Sequence, residues 1–224
     1  MGERKALLSV ILLTILVFFA GVVQAADLLG VYAGGHETAG MGGSIVYTYS
    51  VELKADDSYE LKSYFVMGDV LYEFIETGTY SVDGAQLVIT PEGQEPIEGS
   101  VNSDGTITIG VKPSQMARER TEAALTPSAI AVAGVYKATL QGAAAVEITL
   151  YLTPLGEYYY LAVPDSDSPA VHENGAYQVN GAELAFQVAE SGETFAGKVE
   201  DDKVSAPFIV SAMMGMRMEI ELAK

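Results

Sequence analysis

ETGTYSVDGAQL, residues 76–87, recurs as ENGAYQVNGAEL, residues 173–184. In both copies glycine stands third, tyrosine fifth, and an Asp-Gly or Asn-Gly pair eighth and ninth. Such pairs supply the positive φ of tight hairpin turns, so each copy predicts a strand, a turn and a second strand. A match of this length within one chain indicates an internal duplication.

Shorter matches on both sides extend the repeat to about 100 residues. Gly30–Tyr32 returns as Gly134–Tyr136, and Gly99–Val101 returns as Gly197–Val199. The unit is too long for a solenoid repeat, so the sequence predicts two tandem domains. We place them at residues 27–126 and 128–224, with the joint near Thr126, Pro127 and Ser128.

Each unit has the pattern of antiparallel β structure. Short segments rich in Tyr, Val, Ile, Leu and Thr alternate with turn signals, and the clearest of them are Val46–Lys54, Tyr59–Val66, Gly78–Val82 and Gln86–Thr90. The spacing predicts seven or eight strands per unit in up-and-down order. Such a sheet is expected to close and remove its edges. The predicted fold class is all-β, with two tandem lipocalin-like barrels.

The alternation of apolar and polar residues in the last strand is clearer in the second unit than in the first. In the second unit one face of the strand collects five apolar residues, and we expect them to pack inward: Met214, Met216, Met218, Ile220 and Leu222. The counterpart at residues 116–125 alternates weakly, and a strand or a helical turn over Arg118–Ala124 fits it.

Residues 1–25 have the pattern of a signal peptide. Arg4 and Lys5 precede an apolar run from Ala6 to Val23, and small residues end the segment at Ala25. We expect cleavage after Ala25, with an uncleaved N-terminal anchor as the alternative and the only predicted membrane contact. In both cases the remainder is exported, to a periplasmic, extracellular or cell-surface location.

Composition excludes several classes of function. The chain has no cysteine, which rules out disulfides, thiolate metal sites and a cysteine nucleophile. A net charge of −18 argues against nucleic-acid partners and anionic lipid surfaces. The sequence contains neither a GxSxG nor an HExxH motif. Its two histidines, His36 and His172, could enter a Ser–His–Asp set only through the fold, because such a set is spatial. We therefore expect no enzyme and no cofactor.

The order of motifs Gly30–Tyr32, Leu53-x-x-Asp56-x-x-Tyr59, Gly78–Tyr80 and Leu87–Thr90 resembles the small lipocalin-like barrels of bacterial envelope proteins. In particular it resembles the N-terminal domain of the NlpE copper-resistance lipoproteins. The resemblance covers residues 30–90, and 134–187 more faintly, and it implies a barrel. That family carries a CxxC pair after its first strand, where this chain has the cysteine-free loop 34–43.

Candidate binding residues fall in the glycine-rich loop and in tyrosine clusters. His36 and Met41 lie in a loop with five glycines in ten residues, which is either a flap at a barrel mouth or a mobile surface loop. Tyrosines line cavities and partner surfaces, or they form cross-strand pairs with wet hydroxyls. The candidate ligand-binding residues are His36, Met41, Tyr47, Tyr49, Tyr158 and Tyr160. Alternation places Tyr159 on the opposite face from the last two.

A soft-metal site is an alternative use of the methionines. Thioethers suit Cu(I), and the MxM spacing would align Met214, Met216 and Met218 on one strand face. Acidic pairs such as Asp56-Asp57 and Asp201-Asp202 do not match the twelve-residue calcium loop, and solvated turns explain them better.

The sequence predicts an exported, non-catalytic protein that binds a small apolar ligand in a lipocalin-like barrel. The alternative is a structural or protein-interaction module of the cell envelope, and copper handling through Met and His is a third. A ligand binder predicts an interior cavity, whereas an interaction module predicts a filled barrel and an exposed apolar patch. An outer-membrane barrel fits less well, because charges such as Glu52, Lys54 and Glu60 interrupt the strands.

Overall fold

The computed structural model describes residues 28–40, 43–68, 70–142, 144–213 and 215–224. The fold is all-β, as predicted, and consists of two closed eight-stranded antiparallel barrels in tandem. The first barrel comprises β1 (Gly30–Gly40), β2 (Gly43–Leu53), β3 (Ser58–Met67), β4 (Val70–Asp83), β5 (Gln86–Pro91), β6 (Ile97–Val101), β7 (Ile107–Val111) and β8 (Thr121–Ser128). The second comprises β9 (Gly134–Leu140), β10 (Val146–Leu152), β11 (Glu157–Pro164), β12 (Val171–Asn180), β13 (Glu183–Val188), β14 (Thr194–Glu200), β15 (Lys203–Ile209) and β16 (Arg217–Ala223).

Within each barrel every strand pairs with the next along the chain, and the last strand closes on the first. β8 pairs with β1 through Val31 and Ser128, and β16 pairs with β9 through Ala223 and Lys137. The weakly alternating segment of the first unit is therefore a strand in its second half. Because β8 runs through Ser128, residues 129–133 connect the two barrels. The predicted hairpin glycines have the positive φ that their turns need, +59° at Gly84 and +64° at Gly181.

Side chains fill the interior of each barrel. Period-2 alternation is strict in β13, where Leu184, Phe186 and Val188 are buried and the residues between them are exposed. The largest fully buried side chains of the first barrel are Tyr49, Tyr59, Leu53, Leu61, Leu87, Ile89 and Ile107. Those of the second barrel are Tyr136, Tyr158, Tyr160, Phe186 and Phe208. These side chains make two separate cores, one per barrel.

A buried ion pair with a tyrosine recurs in both barrels at equivalent positions. In the second barrel Arg217 donates to Glu173 at 2.7 Å, and the Tyr158 hydroxyl donates to the same carboxylate at 3.0 Å. The first barrel repeats the network with Arg120, Glu76 and Tyr59. Each arginine also donates to a backbone carbonyl, that of Gly110 or Pro207. The network joins four strands in the second barrel, and in the first it joins three strands to the residue directly before β8. It tolerates no register slip, because a buried charge without its partner is costly.

A glycine makes room for the tyrosine of each network. A Cβ built on Gly78 would lie 2.8 Å from the ring of Tyr59, and one on Gly175 would lie 2.9 Å from the ring of Tyr158. Each would also overlap a carbonyl oxygen of the neighbouring strand. The repeated glycine of the sequence motif is therefore a packing requirement of the barrel.

The expected inward packing of the methionines is wrong for Met216 and Met218. β16 begins at Arg217, and among the described residues of the apolar face Ile220 and Leu222 alone are buried. Met218 is 46% exposed and Met216 is 65% exposed. Alternation points Met218 to the inner side, but it lies at the end of the strand, where the surrounding strands no longer enclose it. Met214 lies outside the described residues.

Candidate functional site at the open end of the first barrel

The two repeats differ most at the end of the barrel where β1 passes into β2 and β3 into β4, which we call the open end. The offset between matching residues falls from 104 at Gly30 to 99 at Ser50, so the first hairpin is five residues longer than its counterpart. It falls again to 97 at Glu76, so the second hairpin is two residues longer. β1 to β4 therefore extend past the shorter strands of the same barrel as a four-stranded sheet.

Four aromatic side chains form one row across the inner face of this extension. The register pairs His36 with Tyr47, Tyr47 with Phe65 and Phe65 with Tyr72, so each strand contributes one ring. Ring centroids are 5.1 Å apart for the first pair, 4.9 Å for the second and 4.8 Å for the third. The first and third pairs are stacked and the middle pair is tilted. We call these four residues the aromatic row.

His36 is held in the row by a contact from the barrel interior. The hydroxyl of Tyr49, which is fully buried, lies 2.8 Å from Nδ1 of His36, and the two rings stack at 5.6 Å. Burial raises the pKa of Tyr49, so the hydroxyl stays protonated and the pair shares a hydrogen bond at neutral pH. The arrangement fixes the imidazole plane at the mouth of the barrel.

The loop between β7 and β8 lies beside the aromatic row. The carbonyl of Pro113 accepts a hydrogen bond of 2.6 Å from the inward-facing Ser63 hydroxyl. Lys112 places its ammonium group 5.4 Å from the ring centroid of Phe74, one inward position below Tyr72. The loop thus covers part of the mouth, and its Met116 is 84% exposed.

Exposed apolar side chains gather at the open end of the first barrel. Five of them belong to the extension and one to the β7–β8 loop: Val46, Met67, Val70, Tyr72, Ile75 and Met116. We call this set the apolar tip. At the corresponding end of the second barrel the exposed apolar side chains among the described residues include Met213, Met216 and Met218. An apolar cluster at one end of a barrel is a surface suited to a partner.

The two barrels contact each other through tyrosines on their outer faces. Tyr64 lies behind Phe65 on the opposite face of β3, and its ring centroid is 4.3 Å from that of Tyr151 in the second barrel. Tyr159 stacks on Tyr151 at 6.3 Å. The Tyr64 hydroxyl donates to Glu73 at 2.6 Å, and burial together with this carboxylate raises the pKa of Tyr64. The second barrel therefore packs against the back of the extension.

A groove of about 650 Å³ runs beside this contact, between the two barrels. Its walls carry both signs of charge, including the pair Lys62–Glu60 at 2.7 Å. Tyr151 contributes to its lining.

The structure brings together some of the sequence-predicted site residues and separates others. His36, Tyr47 and Tyr49 meet at the open end of the first barrel. Tyr158 and Tyr160 lie in the core of the second barrel, where the second of them donates to the carbonyl of Ile209 at 3.1 Å. Met41 lies outside the described residues. The soft-metal site at Met216 and Met218 stays a prediction.

Sequence reasoning missed Phe65, and its final set of candidate binding residues did not include Tyr72. The signal that could have found them is the pairing sum: in antiparallel strands, partner numbers add to a constant. Once Tyr47 is paired with Phe65, the hairpin at residues 67–70 places Tyr72 beside Phe65. His172 lies in the other barrel from His36, on the outer side of β12.

Among the described residues, no group of three or more His, Cys, Asp or Glu side chains could hold a metal ion. In the same part of the chain no helix has the length and apolar character of a membrane span.

Comparison with known proteins leaves the function open. No family model matches the chain, and no curated protein matches it. A crystal structure of a porin-like protein from Bacteroides uniformis is similar at 13% sequence identity, over 87% of this chain and 95% of that one, with a TM-score of 0.30. The resemblance to the NlpE domain stays a prediction.

Proposed function

We propose that this protein is an exported, non-catalytic interaction module of the cell envelope that binds the apolar surface of another protein through the open end of its first barrel. The observation that carries the proposal is the combination of filled barrels with an apolar tip. Large side chains occupy both interiors, and exposed apolar surface concentrates at one end.

The filled interior argues against the expected position of a small apolar ligand inside a barrel. A pocket that holds a small ligand has a volume on the order of 300 Å³ or more. In the first barrel Tyr49, Tyr59 and Leu61 are each 0% or 1% exposed and point into that space. In the second barrel the stacked rings of Tyr160 and Phe208, with centroids 4.3 Å apart, fill the interior.

The apolar tip supplies part of a binding free energy. Its members are 37% to 84% exposed, so burying each one more fully is worth about 1 kcal/mol, roughly half the value for a completely buried side chain. Aromatic residues and methionine are also the types enriched in protein interfaces. The outer faces of the barrel strands carry charged residues such as Glu52, Glu60 and Lys62, which fits water around the barrel walls.

Export is the other half of the proposal, and the N-terminal sequence supports it. The segment that we interpret as a signal peptide lies outside the described residues, and the first described strand follows within a few residues. β2 ends with Glu52 and Leu53 at the opposite end of the barrel from the tip, and Leu53 pairs there with Gly30, where β1 begins. An uncleaved anchor would therefore leave the tip directed away from the membrane.

A small apolar or aromatic ligand bound over the aromatic row is the second candidate. The observation that favours it is the continuous row of four rings, with the His36–Tyr49 hydrogen bond as a polar contact next to it. This keeps the ligand-binding residues His36, Tyr47 and Tyr49 that the sequence predicts, and moves the ligand from the interior to the mouth.

Site-specific photocross-linking in the native host tests the proposal. A benzophenone side chain replaces Tyr72 at the tip, and a matched variant carries it at Leu155, which is 42% exposed in a turn of the second barrel. We expect one defined protein adduct from position 72 and none from position 155. Equal adducts from both positions, or none from position 72, would overturn the proposal.

Native mass spectrometry of the mature protein separates the second candidate from the first. A defined small mass that mild organic extraction removes, and that Tyr47→Ala abolishes, would favour a ligand on the aromatic row. A protein adduct at position 72 together with a bare mass supports the interaction module.

A further inference from the structure

β4 has a free edge over more than half of its length. It pairs with β3 from Val70 to Thr79, but β5 reaches it only from Gly78 onward. Within the described chain no strand pairs with the other side of Val70–Thr77. Exposed strand edges of this length are unusual in native proteins, because unpaired N–H and C=O groups template the addition of another strand.

The hydrogen bonds at the bottom of β4 fix which residues point to the free edge. The amide of Tyr80 donates to the carbonyl of Asp57 on the β3 side, whereas the carbonyl of Thr77 accepts from the amide of Glu92 on the β5 side, at 2.8 and 2.9 Å. Because these directions alternate along a strand, the N–H and C=O groups of odd-numbered residues point to the β5 side of β4, which is the free edge. Leu71, Glu73 and Ile75 therefore present their N–H and C=O groups at the free edge.

The second barrel has a shorter edge at this place. Asn174, which corresponds to Thr77, accepts from the amide of Ala189 at 2.9 Å, just as its counterpart accepts from Glu92. β12 begins at Val171, so only His172 corresponds to an outward residue of the first barrel. Three residues of β4 thus direct backbone groups to this edge, and one residue of β12 corresponds to them. The long free edge therefore belongs to the extension of the first barrel.

The side chains of the edge define the chemistry of a bound segment. Val70 and Tyr72 are exposed on the inner side, Ile75 is exposed on the outer side, and Val70–Thr77 contains no Lys or Arg. Its two acids are Glu76, which pairs with Arg120, and Glu73, which is exposed. An added strand therefore meets apolar residues on both faces and one exposed carboxylate at the centre.

A second copy of this chain fits the edge poorly. An antiparallel pair of two β4 edges that uses all three outward residues places Glu73 opposite Glu73. Like charges directly opposite each other destabilise a strand pair, and both chains carry a net charge of −18.

We propose that the free edge of β4, Leu71–Ile75, binds an extended segment of a partner protein by strand addition, and that this segment is apolar with a lysine or arginine opposite Glu73. The proposal rests on the proposed function and names the chemistry of the partner. Backbone hydrogen bonds to residues 71, 73 and 75 hold the segment, and the apolar neighbours and the carboxylate select it.

A peptide titration tests the proposal. The probe is a blocked seven-residue peptide of alternating valine and threonine with lysine at its centre, and the control peptide carries glutamate there. We expect the full mature protein to bind the lysine peptide at least tenfold more tightly than the glutamate peptide. Equal binding of both peptides, or of neither, would overturn the proposal.

Two variants at one position isolate the backbone contribution. Ile75→Pro removes the outward N–H and leaves the β3 side of β4 paired, since proline is tolerated at an edge. Ile75→Ala removes a similar amount of side chain and keeps the N–H. We expect a loss of at least tenfold with proline and less than threefold with alanine, at unchanged far-UV circular dichroism. Equal losses from the two would contradict strand addition.

Glu73→Gln provides an independent variant if the proline variant does not fold. Its amide oxygen still accepts the Tyr64 hydrogen bond, while the charge is gone. We expect the preference for lysine over glutamate to fall to less than threefold, and an unchanged preference would overturn the charge assignment. If position 72 cross-links a protein but Ile75→Pro leaves that adduct intact, the strand-addition proposal is wrong and the proposed function stands. If position 72 captures nothing, the proposed function fails with it.

Discussion

Tyr64 and Tyr151 meet across the two barrels in the same ring contact, but their hydroxyls differ. The Tyr64 hydroxyl donates to Glu73. The Tyr151 hydroxyl is buried, and among the described residues it has no hydrogen-bond partner. Burial of that side chain raises the pKa of Tyr151, so it stays neutral and keeps a polar group inside the contact. Removing each hydroxyl should therefore change stability in opposite directions.

Tyr151→Phe is expected to stabilise the protein. A buried hydroxyl without a partner costs about 1–3 kcal/mol, and phenylalanine keeps the ring contact while removing that cost. We expect the free energy of unfolding to rise by about 1 kcal/mol, which corresponds to a rise in Tm of about 4–8 °C for a barrel of this size. Tyr64→Phe loses a hydrogen bond to a carboxylate and should lower the free energy of unfolding by about 1–2 kcal/mol.

Urea denaturation followed by tyrosine fluorescence measures both changes, because the chain contains no tryptophan. The two variants differ from the native protein by one oxygen atom each and control for one another. A loss of stability in Tyr151→Phe as large as that in Tyr64→Phe would show that the Tyr151 hydroxyl has a partner. The barrel contact would then hold two satisfied hydroxyls, and the reasoning from an unpartnered one would be wrong.

The remaining predictions concern the scaffold. Arg217→Met should lower the free energy of unfolding by about 3–5 kcal/mol in urea titrations, because it leaves the 8%-exposed Glu173 without its partner. Lys203→Met, at a solvent-exposed pair, should leave the free energy of unfolding almost unchanged. Gly175→Ala should cost about 3 kcal/mol or prevent folding, while Gly142→Ala, where a Cβ meets only ordinary contact, should be nearly neutral by the same assay. Burial raises the pKa of many core tyrosines above their usual value of 10, so their contribution to stability is complete below pH 10 and is lost as the pH rises beyond it, by about 1.4 kcal/mol per tyrosine and pH unit. Tyrosinate absorbance and far-UV circular dichroism should change together above pH 10. Full ionisation of tyrosine in a barrel that is still folded would contradict this prediction. The core tyrosines with a raised pKa include Tyr49, Tyr136, Tyr158, Tyr160 and Tyr177.

The barrels could be predicted from the sequence because their signals are local. Turn pairs such as Asp83-Gly84, and alternation such as that of β13, are properties of consecutive residues, and self-comparison supplied the duplication. The packing of Met218 could not be predicted in this way. Alternation gives the direction of a side chain, but the height at which neighbouring strands end depends on the stagger of the whole barrel.

The candidate binding site could be predicted only in part from the sequence, for the same reason. His36, Tyr47 and Tyr49 stand in two adjacent strands joined by a short hairpin, so sequence proximity suggested that they lie together. Phe65 and Tyr72 join them through the register of two further hairpins. The Arg217–Glu173 pair spans 44 positions, and although both residues recur in the first repeat, a repeat does not say which of its members touch.

Duplication makes the difference between the barrels informative. Both copies keep the arginine–glutamate–tyrosine network and the glycine behind it, so those features belong to the barrel itself. Only the first copy has the extended hairpins, and they carry the aromatic row, most of the apolar tip and the free edge. Tyr64 is the link between the copies, because it contacts Tyr151 on the back of the strand whose front bears Phe65. A sheet that projects beyond its barrel lacks the support of a closed ring. The second barrel provides that support from behind, through the contact of Tyr151 with Tyr64.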